Sequence, residues 1–214
     1  MSSSQPAATP AAPAAPAGPT GRDRLNPDWP VPNIQNIVAT ANMDHRVDLH
    51  NLAMHARNVT YKATEKKRFH GAVMRIRDPK TTALVFTSGR LVITGAKSVA
   101  DSHLAARKHA RVIQKVQGDI SRLTDFKVQN FVASCNVGFT IRLEGLARHH
   151  HLFSRYEPEI FPGLVYRMTI PKSVVLIFAT GKIVLIGLKS EDQMYEAFTY
   201  IYPVILDYRF APEQ

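Results

Sequence analysis

A single cysteine, Cys135, a single tryptophan, Trp29, and only 17 acidic side chains among 214 residues set the first limits on this chain. One thiol allows neither a disulfide framework nor a thiolate metal cage. No apolar run approaches the roughly 18 residues of a membrane-spanning helix, and the N-terminus carries no secretory apolar core. A soluble, intracellular protein with no membrane partner is expected. The sequence has no glycine loop of the kind that cradles phosphates and no nucleophile elbow. His149-His150-His151 clusters three imidazoles, but consecutive residues in a loop rarely converge on one ion, and no second ligand group accompanies them. Neither a catalytic site, a metal, a cofactor nor a small-molecule substrate is therefore expected. Against the shortage of acid stand 27 Lys and Arg, giving a formal charge of +10 and a pI near 9.9. Such a surplus favours a polyanionic partner.

Large apolar side chains are also scarce over residues 1–30, an Ala/Pro-rich stretch. A segment of that composition cannot bury enough surface to offset its ordering entropy, so it is expected to be a disordered tail, with the folded part starting near Val31. The rest of the chain is written twice. "NIQNIVATANMDHRVDLHNLAMHA" (33–56) answers "KVQNFVASCNVGFTIRLEGLARHH" (127–150), with Asn36 matching Asn130 at an offset of 94 (130 − 36). Further on, Phe69 matches Phe161, Arg75 matches Arg167, Phe86 matches Phe178 and Gly95 matches Gly187, at an offset of 92 (161 − 69). The offset changes once, so two residues were gained or lost in the intervening loop. The chain is a duplicated unit, with a first repeat over 31–122 and a second over 123–214.

Each repeat reads as a strand (34–42 in the first), a short amphipathic helix (48–56), three or four strands and a closing helix (99–116). Asp78-Pro79, Ser88-Gly89, Pro171 and Thr180-Gly181 mark turns. Short links make the strands antiparallel, which gives an α+β fold with about ten strands and four helices. A sheet covered by helices on one side should alternate apolar and polar residues. Yet "TALVF", "RLVIT", "VVLIF" and "KIVLI" are apolar at both parities, so one face is left apolar and open. It serves either as packing between the two faces or with a second copy, or as a binding surface. Parity places Asn36 and Val38, Leu84 and Phe86, Val92 and Thr94, and Phe69 and Arg75 on that side. Asn130 and Val132, Leu176 and Phe178, Val184 and Ile186, and Phe161 and Arg167 repeat the set. Arg75, Arg90, Lys97, Arg167, Lys182 and Lys189 surround it. An apolar floor with a cationic rim suits a nucleic-acid groove, with sugar and base edges beneath and phosphates at the walls.

At these residues, and across "QNIVAT", "HARN", "MRIR", "PKTTAL", "TGAKS", "RLEGLA", "YEPE" and "FPGLVYRM", the chain closely resembles the TATA-box-binding protein family, over Val31 to Phe210. The resemblance implies a saddle: a curved antiparallel sheet with helices on the convex side and double-stranded promoter DNA on the concave one. It implies that Phe69, Phe86, Phe161 and Phe178 wedge between base steps, where the flexible TA step is cheapest to unstack, and that the DNA is bent. Asn36 and Asn130 would donate to the N3 and O2 acceptors of A·T pairs, where a guanine amino group would meet a donor with a donor. Val38, Val132, Val92, Val184, Leu84, Leu176 and Thr94 would contact base edges, and Arg75, Arg167, Arg90, Lys182, Lys97 and Lys189 would contact phosphates.

The resemblance also implies a nuclear promoter-recognition factor that nucleates an initiation complex. Transcription factor IIB would meet Glu157, Glu159 and Ile160, and transcription factor IIA and other initiation proteins are further partners. On the closing helix of the first repeat, Ala105, Ala106, Val112, Ile113 and Val116 share one side, and Arg107, Lys108, Arg111 and Lys115 present a basic row to partners. The matching helix of the second repeat is acidic, with Glu191, Asp192 and Glu196. The sequence departs from the family at Ile186, where threonine is usual, at Phe131, where a smaller aliphatic is usual, and in a longer, more basic loop over 59–67. A related protein that mainly assembles transcription factors, with altered DNA preference, is the alternative these departures leave open. A base-excision glycosylase with this architecture would need a carboxylate or lysine beside a base pocket, and no open-face position carries an acid.

Overall fold

The computed structural model describes residues 21–61, 71–118 and 122–210. In the first repeat, strand β1 (Asn33–Asn42) leads to helix α1 (Leu49–His55), strands β2 (Val59–Thr60), β3 (Gly71–Ile76), β4 (Thr81–Phe86) and β5 (Arg90–Ala96), and helix α2 (Val99–Gln117). The second repeat gives β6 (Thr124–Asn136), α3 (Leu143–His149), β7 (Ser154–Arg155), β8 (Gly163–Met168), β9 (Ser173–Phe178), β10 (Lys182–Leu188) and α4 (Glu191–Leu206). Three of the four α-helices begin where a short polar side chain takes up free backbone N–H groups, α3 being the exception. Asp48 accepts from His50 and Asn51 at the start of α1, Ser98 accepts from Asp101 at α2, and Ser190 accepts from Gln193 at α4. Gly118, left-handed at φ 64°, stops α2. At the β4–β5 turn Gly89 has φ 88°, and a Cβ there would lie 2.2 Å from the His45 carbonyl oxygen; Gly181 repeats this at the β9–β10 turn. Both turns therefore require glycine.

All ten strands join one antiparallel sheet in the order β2-β3-β4-β5-β1-β6-β10-β9-β8-β7, with the pseudo-twofold axis between β1 and β6. Burial settles the parity. In β4 and β9 every second residue is fully buried and the rest are half-buried, and β5 and β10 show the same alternation. The buried set faces the helices in two cores, one per repeat. α2 contributes Ala105, Ala106 and Ile113, with Val112 and Val116 at the margin of its core. The half-buried set forms the opposite, concave face of the curved sheet. No helix among the described residues is long and apolar enough to cross a membrane.

One expectation needs correction, and one departure from the family finds its place. Residues 21–30, assigned with the rest of 1–30 to a tail, are ordered: Gly21–Arg24 form a 3-10 turn, and Leu25 and Trp29 pack against the second core. Averaged over thirty residues, the Ala/Pro content hid two large apolar side chains at its end. Phe131, considered beside Asn130 for its bearing on DNA preference, is 1% exposed in the core on the helix side, paired with Ile37 across the central seam. Its neighbour Asn130 faces the other way, as strand alternation requires.

Candidate nucleic-acid interface

Strand pairing draws two transverse rows on the concave face. One runs Arg75–Thr82–Thr94–Val38–Asn130 and the other Arg167–Val174–Ile186–Val132–Asn36, each from a cation at one end of the sheet to the other repeat's asparagine. A second pair of rows, Val73–Leu84–Val92–Thr40 and Val165–Leu176–Val184–Ser134, lies alongside. The sequence-predicted residues Asn36, Val38, Leu84, Val92 and Thr94, and their counterparts Asn130, Val132, Leu176, Val184 and Ile186, thus share one face. All are half-buried. Parity also reaches Thr40, Val73, Thr82, Ser134, Val165 and Val174, which the sequence reading left out. Gln129, whose Nε2 donates to Thr40 Oγ1 at 2.8 Å, arrives there only through an irregularity in the β1–β6 register.

The two asparagines are oriented by backbone. Gly95 N–H donates to Asn36 Oδ1 at 2.7 Å, and Gly187 N–H donates to Asn130 Oδ1 at 2.8 Å. Both glycines have positive φ, 105° and 93°, which turns each amide toward the asparagine. With Oδ1 so engaged, Nδ2 is the end left to donate. Here the repeats differ. The Thr94 hydroxyl lies 3.0 Å from Asn36 Nδ2 and 3.1 Å from Oδ1, accepting from one or donating to the other. Ile186, in the corresponding place, offers Asn130 no such partner. Thr94, expected to contact base edges, thus has its hydroxyl on Asn36 on the same concave face.

Phe161 and Phe178 form an edge-to-face pair with ring centroids 5.8 Å apart. They stand over Gly163, where a Cβ would come within 2.7 Å of Phe161 and 3.0 Å of Phe178. Gly163 pairs with Phe178 across β8 and β9, as Gly71 pairs with Phe86 across β3 and β4. Phe69 lies outside the described residues, as do residues 62–67 of the longer loop.

At the two ends the rows open into hollows of about 860 and 660 Å³. Arg75, Arg77 and Lys80 line the first, and Arg167, Lys172 and Lys189 the second, with no carboxylate among the described lining residues of either. Arg77, Lys80 and Lys172 were missed because each sits at a strand end or turn, where parity says nothing. Arg90, Lys97 and Lys182 are exposed, and Arg90 and Lys182 open β5 and β10 on the concave parity.

The expected partner residues lie elsewhere. Arg107, Arg111 and Lys115 are exposed on α2, whereas Lys108 Nζ donates to the Asp78 carbonyl at 2.6 Å and lies 3.3 Å from its carboxylate. Glu157 is held 2.8 Å from Arg155, while Glu159 and Ile160 are exposed, Ile160 at 79%. The acidic start of α4 is partly occupied, since Asp192 accepts from Gly21 N–H and Glu191 from the Tyr195 hydroxyl. His149 and His150 turn to two different tyrosines, Tyr208 and Tyr166.

A family model described as transcription factor TFIID (or TATA-binding protein, TBP) matches residues 31–116 and 125–208, one match per repeat. The chain belongs to the TATA-box-binding protein family. Over 179 residues it is 60% identical to the TATA-box-binding protein of Emericella nidulans and 58% identical to that of Saccharomyces cerevisiae, in each case across 84% of this chain. It spans 65% and 73% of those relatives' lengths. The solved structure of Methanococcus jannaschii TBP superposes with a TM-score of 0.73 at 38% identity, covering 83% of this chain and 99% of that one. The ten-stranded saddle described above is thus the fold of the TATA-box-binding protein family.

Proposed function

We propose that the chain is a nuclear, minor-groove DNA-binding factor that recognises and bends A·T-rich promoter elements and nucleates assembly of a transcription initiation complex. The observation that carries this reading is the concave face itself. Two pseudo-symmetric asparagine amides are held by backbone N–H groups so that they donate, on a floor of Val, Leu and Ile, between ends rich in Arg and Lys. Donors at the centre discriminate against the guanine amino group, which is the one feature separating G·C from A·T in the minor groove. The aliphatic floor fits sugar and base edges, and Phe161 with Phe178, Phe86 and Phe69 supplies wedges at the two ends. The exposed basic row of α2 and the tip at Glu159 and Ile160 leave room for protein partners, among which transcription factors IIA and IIB are the candidates. The work is binding, with no reaction catalysed.

The test is a gel-shift comparison of an A·T-rich duplex with its G·C-substituted counterpart, with bending read by fluorescence transfer between the duplex ends. The A·T duplex should bind more tightly and bend. In the Phe161→Ala, Phe178→Ala chain, affinity should fall by about tenfold or more, equivalent to roughly 1.4 kcal/mol, and the bend should fall with it. Loss of either without the other contradicts the wedges, and equal affinity for the two duplexes contradicts the reading as a whole.

A further inference from the structure

The ten residues before Val31 form a tie across the flank of α4. Gly21 N–H donates to Asp192 Oδ1 at 2.8 Å, so close that a Cβ on Gly21 would lie 2.9 Å from Asp192 Cα. Arg22 stands near enough to Tyr195 to oppose the effect of Glu191 on its phenol. Two turns follow, closed by Leu25 N–H on the Arg22 carbonyl and Trp29 N–H on the Asn26 carbonyl. Trp29 then lays its ring 4.7 Å from that of Tyr202. In the first repeat, Leu123 and Phe126 pack against the core beside α2, with the Phe126 ring stacked 3.7 Å from that of His103. The closing helix of the first repeat keeps Arg107, Arg111 and Lys115 exposed, and that of the second carries the segment tied at Asp192.

We propose that Gly21–Trp29 is a releasable strap. It occupies the α4 flank as an intramolecular ligand and closes it to a partner segment of the same chemistry, one that brings a cationic turn to Glu191 and Asp192 and an aromatic ring to Tyr202. Three features make it releasable while the sheet stays paired, at the cost of the packing of Leu25 and Trp29. Its polar anchor is a single hydrogen bond to a carboxylate on the surface of α4, strengthened by that carboxylate's charge and weakened by salt. The strap precedes β1 and lends no strand to the sheet. It competes only through its tether, whose effective concentration is on the order of millimolar. On a chain of charge +10, the acidic start of α4 is also a place where a second cationic segment is attracted.

Trp29 is the only tryptophan, so its emission and its quenching by acrylamide report on the strap alone. In the full chain, Trp29 should be quenched at least about threefold less than in a free peptide of residues 21–32. Asp192→Asn and, separately, Tyr202→Leu should each raise the quenching toward the free-peptide level. Asp192 is on the surface, so that variant tests the strap even where Tyr202→Leu impairs folding. A synthetic peptide of residues 21–30 carrying W29Y should raise Trp29 quenching saturably in the native chain, and the same peptide carrying R22A and W29A should not. DNA affinity of Asp192→Asn should be unchanged, which separates failure of the strap from failure of the concave-face reading. A native Trp29 quenched as freely as the peptide, or one that responds to neither Asp192→Asn nor the competitor, overturns the proposal.

Discussion

At Asn36 and Asn130 a single backbone N–H decides which end of an amide meets the partner, and at one of them a threonine adds a second hold. Asn36 is fixed at Oδ1 by Gly95 and at its flank by Thr94, while among the described residues Asn130 has only Gly187. Discrimination against guanine depends on a donor that cannot rotate away, so the less constrained amide should discriminate less. A neutral hydrogen bond contributes about 0.5–1.5 kcal/mol net. Ile186→Thr should therefore sharpen base preference by roughly two- to tenfold where Asn130 contacts the duplex, and Thr94→Val should blunt it by a similar factor where Asn36 does. The two effects should be independent, since neither substitution touches the other's asparagine. A scan of single-base substitutions across the duplex, run for both variants, reads this directly; changes spread evenly over the site would show that Thr94 and Ile186 do not act through the amides.

The elements show why some of this was legible in the sequence and some was not. A strand has period 2 and the duplication states each pattern twice, so the apolar parity and the plan of four helices and about ten strands could be read from the chain alone. The rows of the concave face needed the strand pairing, which adds Thr40, Val73, Thr82, Ser134, Val165 and Val174. Helix α2 was legible only where it is apolar. Ser102, Ala105, Ala106, His109 and Ile113 recur at helical spacing and are all buried, but a polar residue in that stripe does not announce itself. His109 is fully buried against the first core, its Nε2 3.3 Å from Thr81 Oγ1 and its Nδ1 without a partner. Burial pulls its pKa down from 6.5 to about 4. Because the folded value lies below the unfolded one, the unfolded chain takes up the proton first. The neutral ring is fully compatible with the fold above pH about 6.5, and stability drains away as pH falls from there to about 4. Within that window each tenfold rise in proton activity costs roughly 1.4 kcal/mol, so about 2 kcal/mol should be gone by pH 5. Urea unfolding at pH 7.5 and pH 5 should show that loss in the native chain and much less of it in His109→Leu. An equal loss in both would place the acid-sensitive group elsewhere.

Over the whole molecule, the duplication puts a cation at the far end of each long row, and on the proposed reading these ends meet the phosphates of a duplex. Arg75 and Arg167 are exposed, lie on the concave parity, and line hollows that hold no carboxylate among the described residues. They have no structural employment that would explain their position otherwise: neither is paired in an ion bridge among the described residues. On a duplex each should neutralise one phosphate and release its counterion. The logarithm of affinity falls with the logarithm of salt at a slope of about −0.9 per phosphate contact. Arg75→Ala and Arg167→Ala should therefore each flatten the slope by about one and weaken binding to A·T-rich and G·C-rich duplexes alike, because a phosphate carries no sequence. Pseudo-symmetry adds a stricter requirement: the two single variants should match, and the double variant should flatten the slope by about two. Affinity measured over a salt series for the four chains decides it. A slope that stays put while affinity drops would mean that the arginines act by shaping the sheet ends, and a loss confined to one of the two would mean that the saddle does not sit across its site with both ends engaged.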